Sequence, residues 1–243
     1  NIARSAQGQP VIFQAGASED GRNFAAKRAD AIFVGHGGIQ EARDYYADVK
    51  ARAAGFGRDP ASLFILPAVA PIIGSTEAEA NARWQERADL VSIESALAML
   101  GRSFNDHDFT VYELDAPFPD VFARGFNSSQ SATLKIAHAV QKENLTLRQV
   151  AQRFATPKGE LVGTPEQIAD KFEEWLVTEA SDGFVVGQPL PGQFRLFVEE
   201  VTPILQKRGI LRETYEGSTF RDSLGLEVPA NRFTVAKAER AVA

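Results

Sequence analysis

The sequence contains no cysteine. Disulfide bonds, thiol nucleophiles and thiolate metal sites are therefore excluded. Its three histidines are scattered at His36, His107 and His138. That scatter, without a thiol, argues against a metal centre. No apolar run approaches the ~20 residues of a membrane-spanning helix. Cationic excess is missing too: 26 Lys and Arg stand against 32 Asp and Glu, a net charge of -6. No basic run interleaves with aromatics, so a nucleic-acid partner is not expected. No Gly-x-Gly-x-x-Gly fingerprint follows a strand, which argues against a nicotinamide site on this chain. The opening Asn1-Ile2-Ala3-Arg4 has no initiator methionine and no signal-peptide pattern. A cytoplasmic location is the expectation.

Hydrophobic residues make up 44% of the 243 residues, enough for a sizeable core. Pro10 to Ala15, Ala31 to Gly35, Leu63 to Ile73 and Gly183 to Gly187 are short apolar runs without alternation. Each reads as a buried strand. Amphipathic helical stretches follow them. Ser18 is a candidate N-cap with Glu19 and Asp20 behind it. Ile39, Ala42, Tyr46, Val49 and Ala53 share one helical face. Thr76-Glu77-Ala78-Glu79 reads as a capping box opening one long helix to about Met99. Thr164-Pro165-Glu166-Gln167 opens another, with Ile168, Phe172, Trp175 and Leu176 on its apolar face. The last helix runs from Gln193 to Arg208, with a bend expected at Thr202-Pro203 and a stop at Gly209. Strands alternating with helices predict an α/β fold whose parallel sheet is buried on both faces.

Four βα units result, with a long interruption before the fourth. The expected division is barrel units over 1–100, an insertion over 101–163, the last unit over 164–209 and a tail over 210–243. The insertion opens aromatic and acidic, and then carries helices near Ser131 to Lys142 and Thr146 to Phe154. Insertions of this size in α/β barrels commonly act as lids.

Gln14-Ala15-Gly16-Ala17-Ser18-Glu19-Asp20-Gly21-Arg22 resembles the Gln-Ala-Gly-x-Ser-x-x-Gly-Arg segment of the nitrilotriacetate and dibenzothiophene-sulfone monooxygenases, a branch of the bacterial-luciferase-like flavin monooxygenases. Further matches follow in order: Ala29-Asp30-Ala31, Tyr46-Ala47-Asp48, Gly57-Arg58-Asp59-Pro60, Asn144-Leu145-Thr146, Gly163 to Asp170, Asp182-Gly183-Phe184 and the tail from Gln206 to Arg232. The resemblance covers nearly the whole chain.

The resemblance implies a (β/α)8 TIM barrel of which these units are the second half, strands five to eight, with a lid insertion before the last strand. A complete barrel takes about 250 residues before any insertion. A truncated chain is therefore expected, with two unpaired strand edges and an exposed apolar face.

The resemblance also implies function: an FMN-dependent, two-component monooxygenase. Such an enzyme takes reduced flavin (FMNH2) from a separate NAD(P)H:flavin reductase and uses O2 to place one oxygen atom on a small amine-, sulfur- or alkane-type substrate. A homo-oligomer is expected, and the isolated chain is expected to be inactive. The alternatives are a non-catalytic flavin-binding or oligomeric half-barrel and a deazaflavin-dependent enzyme of the same fold.

Gly16, Ala17 and Ser18 are the candidate cofactor-binding residues. A glycine between a strand end and a helix start presents backbone N–H groups and a hydroxyl to a phosphate. Ser18 also reads as a plain N-cap. His36 follows the second strand, where barrel sites are built, and reads equally as a solvated loop residue. Phe104, Phe109, Phe118 and Phe126 line a tunnel or form ordinary packing. Arg124 and Asn127 meet an anionic substrate or stay solvated. Gly187-Gln188-Pro189 would border the flavin. No catalytic residue is assigned.

Overall fold

The computed structural model describes residues 3–35, 37–126 and 130–231. His36, Asn127 and the end of the tail lie outside them, as does the side chain of Phe126. The described chain falls into two compact units, one of residues 1–71, 165–188 and 192–243, the other of 72–164 and 189–191.

The first unit is an α/β layer. Its strands are β1 (Phe13–Gln14), β2 (Ala31–Val34), β3 (Phe64–Val69) and β6 (Val185–Val186). They form a four-stranded sheet in the order β1-β2-β3-β6, parallel throughout. Parallel neighbours need a crossover, and helices supply it. They are α1 (Glu19–Arg28) between β1 and β2, and α2 (Ile39–Gly55) between β2 and β3. After α8 (Pro165–Val177) the chain enters β6.

Register fixes which side chains share a face. Phe13 pairs with Ala31, and Ala31 with Phe64; Gln14 pairs with Ile32, and Ile32 with Ile65. Ile32, Val34 and Ile65 point at the helices and pack with Ala25, Ala26 and Ala29 of α1 and Tyr45, Val49 and Ala53 of α2. The small alanines of α1 let it lie close to the sheet. Ala42 of α2 meets Trp175 of α8 and Ala180.

The other face is only partly covered among the described residues: Ala31 is buried, but larger side chains beside it are not. Phe13 is 46% exposed and Phe33 42%, and Val185 is exposed as well. This corrects the expectation of a sheet buried on both faces. The opening run is likewise an edge strand with Ile12 exposed, rather than a buried strand over Pro10 to Ala15. Apolar composition alone does not reveal which partner covers a face. Each half-exposed Phe forgoes roughly 1 kcal/mol of burial.

The described part of the tail packs along this unit. A short helix, α11 (Phe220–Ser223), has a capping box between Thr219 and Asp222, and Phe220 stacks on Phe13 at 6.5 Å. The helix before it bends where Pro203 predicts. Between α9 (Gln193–Leu196) and α10 (Thr202–Lys207) the chain makes one wide turn over Phe197–Val201, and the Thr202 N–H reaches Phe197 O. Pro203 lacks an N–H, so the regular ladder cannot run through it. Gly209, at φ +70°, then ends the helix.

The second unit pairs β4 (Ile72–Ile73) with β5 (Val162–Gly163) in parallel. The helix expected from Thr76 to Met99 is two helices, α3 (Glu77–Asp89) and α4 (Ile93–Ser103), because Ser92 starts a new N-cap by accepting from the Ser95 N–H. The Thr76 cap is present, but the Glu79 carboxylate accepts from Ser75 rather than from Thr76. Then come α5 (Phe122–Phe126), α6 (Gln130–Glu143) and α7 (Leu147–Ala155), the last with a full capping box between Thr146 and Gln149. Phe104 is fully buried, with its ring edge-on to Phe109 at 5.4 Å and 6.0 Å from Phe118. These three rings pack with Leu100, Leu147 and Val150 in one buried cluster, and Phe109 also borders a cleft with Leu97, Gly101 and His107.

Candidate functional site

In a parallel sheet every strand ends on the same side, so the loops that follow are brought together there. Gly16–Ser18 follows β1, Gly35 follows β2 and Gly187 follows β6. The Gly187 N–H donates to Val69 O at 2.8 Å, fixing the β6 loop at the end of β3.

The Gly16-Ala17-Ser18 turn is built by α1. Ser18 is its N-cap, in an extended conformation, and its Oγ accepts from the Gly21 N–H at 3.2 Å. Among the described residues the N–H groups of Ala17, Ser18, Glu19 and Asp20 donate to no protein atom. A helix start leaves such donors free, and they favour an anion. Two glycines shape the turn. A Cβ on Gly21 would stand 3.1 Å from both Gly16 O and Ser18 Oγ, and a Cβ on Gly16 would stand 2.7 Å from Gln14 Nε2. Gln14 Oε1 is buried with no partner among the described residues.

Ala17 borders a cleft of about 350 Å³ with Arg22, Gly35, Glu41, Asp44 and Tyr45. Arg22 donates from Nε to Ala17 O at 2.9 Å and from Nη1 to Asp48 Oδ2 at 2.9 Å. Its guanidinium lies 4.9 Å over the Tyr45 ring, and the Tyr45 hydroxyl reaches Gly16 O at 3.4 Å. Glu41 and Asp44 are held within α2 and its approach, by the Gly37 N–H and by Gln40. Glu19, one residue past Ser18, is taken by Arg52 through both carboxylate oxygens at 2.6 and 3.0 Å.

These contacts set the local charges. Arg52 holds the Glu19 carboxyl below the usual carboxylate range. Burial pushes Asp48 up, but hydrogen bonds from Arg52 and Arg22 outweigh it and leave that carboxyl lowered as well. Burial raises the Tyr45 hydroxyl. Depressed carboxyl values stabilise the folded state above the ordinary carboxylate range, and the gain is lost as pH falls through the folded values. The Arg22–Asp48 pair is therefore expected to persist at pH 5 and to weaken below about pH 4. Carboxyl carbon shifts of Glu19 and Asp48 through an acid titration check this. Midpoints at ordinary values would contradict it.

Other candidates fall elsewhere. His107 contacts the Tyr112 hydroxyl at 3.1 Å and Phe109 edge-on, and burial lowers its pKa. His138 is exposed on α6, and Arg124 is exposed on α5. Among the described residues no cluster of His, Asp or Glu could hold a metal ion, and no helix is long and apolar enough to cross a membrane. Sequence reasoning missed Arg22, Tyr45, Asp48 and Arg52. The Asp48–Arg52 spacing of four on α2 was the available signal.

A parallel α/β sheet carries a glycine-serine turn and a helix start at its carboxyl end. The chain belongs to the luciferase-like monooxygenase family, whose sequence model it matches over residues 1–181. It is 42% identical over 236 residues to the N-acetyl-S-(2-succino)cysteine monooxygenase of Bacillus subtilis, covering 96% of this chain and 54% of that protein. It is 41% identical over 234 residues to nitrilotriacetate monooxygenase component A of Aminobacter aminovorans, covering 95% and 51%. A riboflavin lyase solved with modified FMN and its substrate riboflavin is similar in structure, with TM-score 0.72, 30% identity and coverage of 96% and 51%. The chain thus spans about half the length of the curated relatives it matches.

Proposed function

We propose that this chain carries the phosphate-binding part of a flavin-dependent monooxygenase, with FMN as cofactor. The observation that carries this reading is the turn itself: two consecutive free N–H groups at Ala17 and Ser18, followed by a helix start whose adjacent carboxylate is neutralised by Arg52. The donor set fits a phosphate: backbone N–H groups, the Ser18 hydroxyl and the α1 dipole. Gln14 Oε1, buried and unpartnered just before the turn, suits a donor such as a ribityl hydroxyl.

Reduced FMN would supply the oxygen chemistry when bound. Gly16, Ala17 and Ser18 hold the phosphate end. Gly21 keeps α1 close, and Tyr45 and Arg22 fix the turn. The β1, β2, β3 and β6 strands are read as strands five to eight of a (β/α)8 barrel. The open apolar face with Phe13, Phe33 and Val185 supports this, because an inward barrel face carries such side chains. Residues 101–163 are read as the insertion before the last strand. A small amine-, sulfur- or alkane-type organic substrate, a separate flavin reductase and self-association belong to the same reading; the component A label of the nitrilotriacetate relative supports a reductase.

Ser18→Ala removes one charge-assisted hydrogen bond and is expected to weaken FMN binding to the intact protein about 10- to 100-fold. Flavin fluorescence titration measures it. Unchanged affinity would remove the turn from the cofactor site.

A further inference from the structure

The ion pairs behind the turn form a closed circuit. Arg22 joins Ala17 O to Asp48 Oδ2, each at 2.9 Å. Asp48 Oδ1 then accepts from Arg52 Nε at 2.8 Å, and Arg52 ends on both oxygens of Glu19. The circuit leaves the backbone one residue before Ser18 and returns one residue after it. We propose that this relay, Arg22–Asp48–Arg52–Glu19, positions the turn for a flavin phosphate and keeps the Glu19 carboxylate off that anion. Arg22 and Arg52 are then positioning residues. The proposal rests on the phosphate reading given above.

Peptide geometry sets where the free N–H groups of the turn point. The described chain contains no cis peptide bond. In a trans peptide the carbonyl and the following N–H point in opposite directions. Tyr45 holds Gly16 O and Arg22 holds Ala17 O. The Ala17 N–H is therefore aimed away from the Tyr45 hydroxyl and the Ser18 N–H away from the Arg22 side chain, and neither has an acceptor among the described residues. Gly21 makes this possible, since any side chain there would press on Gly16 O.

Charge around Glu19 acts at the same turn. Glu19 stands in the first turn of α1, where the helix dipole favours an anionic ligand and a loose carboxylate competes with it. Arg52 grips both of its oxygens, and Asn23 and Asp48 in turn brace Arg52. An isolated exposed ion pair contributes little to folding. These side chains are partly exposed, 32% for Arg22 and 21% for Arg52, so a purely structural role would be small. Their effect is expected in ligand affinity.

The test compares FMN with riboflavin, which keeps the ring and ribityl chain and lacks the phosphate. Affinities are measured for the intact protein with Arg22→Ala, Arg52→Met, Ser18→Ala, and Arg52→Met combined with Glu19→Gln. Arg22→Ala and Arg52→Met are each expected to weaken FMN about tenfold and leave riboflavin unchanged. Glu19→Gln is expected to restore FMN affinity in the Arg52→Met background. Equal losses for both ligands, or no loss for either arginine variant while Ser18→Ala still costs affinity, would overturn the relay and leave the phosphate site standing. No loss with Ser18→Ala would instead sink the phosphate site itself.

Discussion

Arg221→Ala is expected to destabilise the protein by about 3–5 kcal/mol, the scale for breaking a buried ion pair. The Arg221 side chain is only 2% exposed. It donates to Gln9 O and Pro10 O at 3.1 Å, to Glu227 O at 3.3 Å, and to Asp30 Oδ2 at 2.6 Å. Asp30 also accepts from the Ile12 N–H at 2.8 Å. One guanidinium thus ties the tail to the entry of β1 and the start of β2. Truncation leaves the Asp30 carboxylate, 14% exposed, without its cation, and leaves three carbonyls without a donor. Arg221→Lys should recover only part of the loss, since an ammonium lacks the planar fork that spans these acceptors. Urea unfolding midpoints measure both. A shift below about 0.5 kcal/mol, the size of an ordinary surface substitution, would contradict the assignment.

The second large effect is expected at Asp182. Its carboxylate accepts from the Ile65 N–H at 2.7 Å, the Tyr46 hydroxyl at 2.9 Å and Lys50 Nζ at 3.1 Å. Lys50 also donates to Pro60 O and Leu63 O. Burial and the neighbouring carboxylate together push the Tyr46 hydroxyl up, so it remains a donor. Asp182→Ala removes the only carboxylate paired with Lys50 among the described contacts, and the ammonium side chain is 12% exposed. A loss of about 3–5 kcal/mol follows from the uncompensated charge. Asp182→Asn keeps one acceptor and should cost about 1–3 kcal/mol. Both lie at the amino end of β3, at the other end of the sheet from the Gly16–Ser18 turn, so their role is expected to be stability. The folded fraction should therefore keep its FMN affinity. A selective loss of flavin binding at unchanged stability would overturn this division.

These two hubs mark what was hardest to see in the sequence. Arg221 and Asp30 are 191 residues apart, and Asp182 and Lys50 are 132 apart. No local pattern connects them. Local chemistry was legible where it acts locally. The Ser18 and Thr76 caps and the Pro203 break all follow from nearest-neighbour stereochemistry. Ser92 was missed because an apolar, alanine-rich run masked the new cap. The two-residue β5 is too short to carry periodicity. The parallel α/β class followed from unalternating strands, while the open face did not, because an apolar side chain does not say what covers it. At the site, the glycine-serine turn was legible from its residues. The arginines behind it needed the fold, which packs α1 on α2.

The turn before α1 is proposed to hold the flavin phosphate. A crystal structure of the intact protein with FMN tests this most directly. A phosphate oxygen within hydrogen-bond distance of Ser18 Oγ and of the Ala17 or Ser18 N–H is the predicted result. FMN bound with its phosphate on other residues, and this turn making no contact with it, would contradict the account.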